Sequence, residues 1–226
     1  MLTRYRWYRI QLPSEDFDLP SNIAGMTMTK DAGVGFSRIE GTVGASKFRF
    51  LWRTKVIVTL FDDEGAPSYE EVDSVNFTEF SIIHVGDATF LRIENPGRNI
   101  RDLLNTLESL IGLGFTSKPI TFEKTKPTTI FKNVEVTKLV GLKVVGAVLN
   151  EDLVARMEFV SKQGMAIENM KLLDGLRYSV DTAVFELIHE GVRGQVAFAS
   201  SGLVKVSGHL AQKLVQLIEQ DLPTLM

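Results

Sequence analysis

The chain has no cysteine among its 226 residues. Disulfides, thiolate metal sites and cysteine nucleophiles are therefore excluded, and a reducing compartment fits the absence. It also lacks a long apolar run. The longest nearly apolar stretch, Leu139 to Leu149, is too short to span a bilayer and contains Lys143. The opening MLTRYRWYRI carries charges where a secretory signal would need apolar residues. The expectation is a soluble, cytoplasmic protein with no membrane partner.

Several chemistries are missing their spacing. The three histidines, His84, His189 and His209, form no HxH, HExxH or HxxxH pattern, and Gly-x-Ser-x-Gly does not occur. His84 and His189 beside acids would be the residues of a less favoured hydrolytic reading. Asp31 to Gly44 holds four glycines, but Lys47 follows Ser46 rather than a glycine, so the phosphate-binding P-loop pattern fails. The spacing Gly33, Gly35, Gly41 is also wrong for a dinucleotide fingerprint. Gly41-Thr-Val-Gly44 has the spacing of a KH-domain loop, but lies between expected strands rather than helices, and reads as a turn. No catalytic residue, cofactor or metal is assigned.

What is present is alternation. Hydrophobic residues make up 44% and charged residues 23%, the balance of a folded domain rather than a disordered chain. From Ser46 to Phe61, Phe48, Phe50, Trp52, Val56, Val58 and Leu60 fall on one face of an extended strand. Lys47, Arg49, Arg53 and Lys55 fall on the other, which turns apolar from Ile57 onward. The first face reads as core, with Trp52 part of it. After the turn-rich Asp62 to Pro67, residues 69–84 should return as the second strand of a long hairpin. Two registers are open. If Lys55 faces Asp73, Arg49 faces Glu79 and the cations are largely neutralised. A slip of one residue leaves them available.

The other expected strands are 4–11, 36–41 and 88–94, then 128–136, 139–148, 153–162, 177–189, 193–199 and 202–206. Helical spacing predicts helices at 98–111, on Ile100, Leu103, Leu104, Leu107, Leu110 and Ile111, and at 208–221, on Leu210, Leu214, Leu217 and Ile218. Asn95 and Ser207 are the candidate caps. Residues 165–174 suggest a short helix stopped by Gly175. The fold class is α+β, predominantly antiparallel sheet with a few helices, in two halves spanning 1–115 and 116–226. Each half closes with a strand and then a helix. Aligning Val72 with Val180 gives an offset of 108, close to half the chain. Either a tandem duplication or chance recurrence of a common strand-then-helix order accounts for this.

Charge is uneven. Residues 1–55 hold nine Lys/Arg against five Asp/Glu, whereas 56–99 hold two against nine. Arg4, Arg6 and Arg9 interleave with Tyr5, Trp7 and Tyr8, and with Lys47, Arg49, Arg53 and Lys55 they form the candidate anion-binding set. The leading functional expectation is a non-catalytic protein presenting these cations to an anionic partner, nucleic acid first. A net charge of −3 argues against a general nucleic-acid binder. The alternative is a protein-interaction or assembly subunit, with protein partners or copies of itself.

Overall fold

The computed structural model describes residues 2–29, 31–40, 46–122, 130–132 and 134–225. It is α+β and mostly antiparallel sheet, with three short helices among the described residues. Its strands are β1 (Leu2–Gln11), β2 (Val34–Ile39), β3 (Ser46–Phe61), β4 (Pro67–Val85), β5 (Ala88–Glu94), β6 (Thr116–Pro119), β7 (Val136–Asn150), β8 (Leu153–Val160), β9 (Ser179–His189), β10 (Val192–Ala199) and β11 (Val204–Gly208). The helices are α1 (Leu19–Gly25), α2 (Ile100–Ile111) and α3 (Ala211–Asp221). None is long and apolar enough to cross a membrane.

The chain divides into two compact units built from interleaved segments. The smaller holds residues 10–83 and 91–117, the larger residues 1–9, 84–90 and 118–226. In the smaller unit the strand order is β2-β3-β4-β5. Its core forms where the apolar faces of three strands meet: Phe36 lies 5.4 Å from Phe50 and 5.9 Å from Phe80, and Phe48 lies 5.7 Å from Phe80, ring centre to ring centre. Leu19 and Ile23 of α1 and Leu103 and Leu107 of α2 are also buried in this unit. The sequence reading missed α1 because seven residues are too few to display a period. Its start is nonetheless conventional, with Asp18 accepting the Ser21 amide proton at 3.2 Å and Pro20 in the first turn.

In the larger unit the order is β1-β11-β10-β9-β7-β8. Phe185, Val196, Phe198, Val204 and Val206 are buried, as are Leu214 and Ile218 of α3. Close packing of α3 depends on Gly194 in β10, where an added Cβ would lie 2.8 Å from the Leu210 Cβ. Trp7 is fully buried beside Phe122, and its indole N–H donates to Glu219 of α3 at 3.3 Å.

Several sequence expectations need correction. Residues 130–132 form turns rather than strand, with Ile130 and Phe131 buried; residues 128, 129 and 133 of that expected strand lie outside the described residues. Instead of a helix at 165–174 there are two single 3₁₀ turns, 167–169 and 171–173, because only Leu173 in them finds a core to join. The short strand β6 was also missed. Neither proposed cap acts as one: α2 starts after Asn99 and α3 after Leu210, while Ser207 lies within β11. The glycine pair Gly41 and Gly44 lies outside the described residues. The alignment that suggested duplication sets β3, β4 and β5 against β8, β9 and β11. Yet β3 pairs with β4, whereas β8 pairs with β7, and β10 stands between β9 and β11. The echoes therefore do not fall on equivalent strands.

Candidate functional site

The β3–β4 hairpin adopts the first of the two registers: Arg49 faces Glu79, Lys55 faces Asp73 and Trp52 faces Asn76. Carboxylates consequently reach most of the strip. The Lys47 ammonium lies 2.7 Å from Glu79 and 3.2 Å from Glu94, and the Arg49 Nε donates to Glu79 at 3.0 Å. Lys55 bonds the diagonal Glu71 at 2.7 Å rather than Asp73. Arg53 is exposed and donates to the Thr29 carbonyl at 3.2 Å. Partial burial would lower the Lys47 pKa, but its bonds to Glu79 and Glu94 outweigh this and raise it. Burial likewise pushes Glu79 up, while Lys47 and Arg49 pull it below its ordinary value.

Beyond this root the hairpin becomes a bare ribbon. β2 accompanies β3 only as far as the pairing of Val34 with Trp52. On the other side β5 has seven residues against nineteen in β4; Arg92 on β5 donates to Ser81 at 3.2 Å. Among the described residues, the two strands between Arg53 and Phe77 pair with each other alone. Trp52 is only half-buried, stacked on Phe50 at 5.7 Å, and Val56, Val58 and Leu60 are exposed rather than core. The opposite face is as apolar: Ile57 and Phe61 are each 69% exposed and Tyr69 72%, with Val75 and Phe77 also exposed. Between Arg53 and Asp73 two cations stand against six carboxylates, including Asp62, Asp63 and Glu64 at the tip. This element, hereafter the arm, is apolar on both faces and carries a formal charge of −4.

The N-terminal cations belong to the larger unit. Arg4 stands directly opposite Lys205 across the β1–β11 pairing. The Arg6 guanidinium lies 5.5 Å from the centre of the Tyr8 ring, and Arg9 is exposed. In the same unit the outward faces of β7 to β11 form a groove of about 660 Å³, lined by Lys143, Glu158, Lys162, Glu186, Gln195 and Lys205 with apolar residues between them. Lys143 lies 3.9 Å from Asp181. The sequence reading missed this groove. Its one signal was Lys205 between Val204 and Val206, an outward cation on a core strand.

The histidines do not assemble a site. His84 hydrogen-bonds Thr89 at 3.1 Å and His209 is exposed just before α3. His189 is half-buried at the end of β9, where its Nδ1 has no hydrogen-bond partner among the described residues. No group of three or more His, Asp or Glu comes together in metal-holding geometry among the described residues.

No protein family and no curated protein matches the sequence. Among solved structures, the crystal structure of DynU16, a protein of the dynemicin biosynthetic locus, aligns over 96% of this chain and 91% of its own, at 12% identity and a TM-score of 0.19. A likeness at that level carries no argument about fold or function.

Proposed function

We propose that this chain is a non-catalytic interaction and assembly protein, and that the β3–β4 arm is the element it docks with. One observation carries the reading: the arm exposes apolar side chains on both faces while its outer strand edges have no strand partner among the described residues. A two-stranded ribbon without a covering layer is marginal in water. Unpaired edges and large contiguous apolar surface mark sites of association. This reading displaces the anionic partner first expected for Lys47, Arg49, Arg53 and Lys55, because three of those four cations already hold carboxylates.

A photo-reactive residue at Phe61 tests it, with one at Leu113, which is 99% exposed in the same unit, as the control. In cells making the protein, the arm probe should give a discrete cross-linked product that the Leu113 probe does not. Changing Ile57, Tyr69 and Val75 to Ser should remove it. No product at Phe61, or the same product from both positions, would sink the reading.

A second reading, an anionic partner such as nucleic acid, is favoured by Lys143, Lys162 and Lys205 lining one groove. A salt-dependent gel shift lost in Lys143→Ala/Lys162→Ala/Lys205→Ala, with the fold retained, would support it.

A further inference from the structure

We infer that the occupant of the arm is a second copy of this chain: the arm of each copy lies in the groove of the other's larger unit, in a reciprocal exchange. This deepens the assembly reading and rests on it. Three observations select the partner.

The first is area. The exposed apolar side chains of the arm offer roughly 1,000 Å², counting aromatic side chains at about 150–250 Å² each when whole. One side of a stable interface needs about 800 Å². That total is the sum over both faces, so the arm reaches the area of a full interface when both faces are covered.

The second is charge. The smaller unit holds nine Lys/Arg against fifteen Asp/Glu, a net −6, and the arm carries most of that excess. The larger unit holds sixteen against thirteen, a net +3. Packing two arms on each other would set −4 against −4. The groove's three lysines, Lys143, Lys162 and Lys205, outnumber Glu158 and Glu186 by one, so laying an arm there sets a net −4 against a net +1 and covers apolar side chains of the arm.

The third is size. The groove crosses five neighbouring strands, β8-β7-β9-β10-β11, or about 19 Å at the usual ~4.8 Å strand spacing. From Thr54 to Phe61 the arm extends about 23–26 Å at ~3.3 Å per residue, enough to span it. The exchange is a closed pair because each copy gives its arm to the same copy whose arm it receives; passing the arm on to a third copy would make a ring or filament instead.

Mass in solution tests the inference with two charge-reversed chains. One carries Glu70→Lys, Glu71→Lys and Asp73→Lys on the arm; the other carries Lys143→Glu, Lys162→Glu and Lys205→Glu in the groove. The unaltered 25.2 kDa chain should run as a dimer that loosens with salt. Each variant alone should be folded by circular dichroism and monomeric, since its arm and groove now share a sign. An equimolar mixture should return to dimer mass, because both contacts of the mixed pair join opposite charges. A monomeric unaltered chain, a dimer indifferent to both sets, or a mixture of folded monomers that fails to pair would overturn the exchange. If the unaltered chain is monomeric while the Phe61 probe still captures a different protein, the exchange fails and the docking arm stands. If Phe61 captures nothing, both fail. Binding of a labelled single-stranded DNA 20-mer by the monomer, lost with the groove changes, would assign the groove to an anion instead and also overturn the exchange.

Discussion

Phe48 and Phe50 lie on the same face of the same strand as Val56 and Val58, yet only the phenylalanines are buried. At the root of the hairpin, Phe36 from β2 and Phe80 from β4 stand directly beside them in the sheet. Among the described residues the arm has no third strand on either edge, and the apolar side chains on both its faces are exposed. Alternation in a sequence tells which side chains share a face. Whether that face has a core depends on other elements, and here β2 and β5 are simply too short to follow β3 and β4 outward. One strand therefore has two environments, a packed core at the root and exposed apolar side chains along the arm.

The strongest way to break that division is to truncate matching side chains. Phe50→Ala should cost about 3–5 kcal/mol, the usual result of emptying a packed aromatic site. Val58→Ala, four same-face positions beyond Phe50, the last buried residue of the face, should stay within about 0.5 kcal/mol in dilute protein. Chemical denaturation monitored by tryptophan fluorescence reads both. If Val58→Ala instead costs a kilocalorie or more only at high protein concentration, the arm is being covered by association. An equal cost at every concentration would mean a covering layer within one chain, and the distinction between root and arm would collapse.

Trp52 marks the border and sharpens it. Its ring stacks on Phe50 but is half open to solvent, opposite Asn76 where the neighbours are Phe80 and Thr78 farther in. Trp52→Ala should therefore cost about 1–3 kcal/mol, short of the loss at a fully buried aromatic position. A loss as large as that of Phe50→Ala would move the border outward by one residue pair.

Much of this was legible in the sequence. The antiparallel α+β class, the long hairpin and both closing helices follow from periodicity, because their patterns are long enough to be distinctive. The register was open in the sequence to two solutions, and the one with Arg49 on Glu79 is adopted, setting opposite charges across the pair at the root. What was not legible depended on partners remote in sequence. The groove joins residues from 140 to 205, and no local pattern links Lys143 to Lys205. Val56, Val58 and Leu60 read as core because nothing within the strand records that β2 begins at Val34, beside Trp52.

Glu79 separates the root from the arm electrostatically. It holds both Lys47 and Arg49, and Lys47 also reaches Glu94. Glu79→Gln should cost about 1 kcal/mol, at the upper end for ion pairs near a surface, since most of each side chain of the Lys47 pair is covered. Its pH dependence has a defined sign. Because the Glu79 pKa is lowered on folding, its contribution is complete above its ordinary 4.5 and is lost as pH falls through the lowered value. Because the Lys47 pKa is raised, its share is complete below its ordinary 10.5 and is lost as pH climbs through the raised value. The gap in stability between the unaltered chain and the variant should therefore be constant between those two values and shrink on the acid side. A gap that widens in acid would show that Glu79 is not the group holding the cations.

The smallest effect is expected at the corresponding pair on the arm, and it is informative for being small. Lys55 and Glu71 approach to 2.7 Å, as close as Lys47 and Glu79, but more than half of each side chain is in solvent. Water screens the attraction and ordering two long side chains opposes it, so distance alone does not set the strength. A double-mutant cycle on Lys55→Ala and Glu71→Ala should give a coupling below about 0.5 kcal/mol, fading further in salt. The same cycle on Lys47 and Glu79 should give a larger and more salt-resistant value. If the Lys55–Glu71 coupling in dilute protein matched that of the root, the pair would be desolvated, and the arm could not be the exposed ribbon that the docking argument requires. If it grew with protein concentration, the desolvation would come from a second copy, and measuring the cycle at two concentrations separates the two cases.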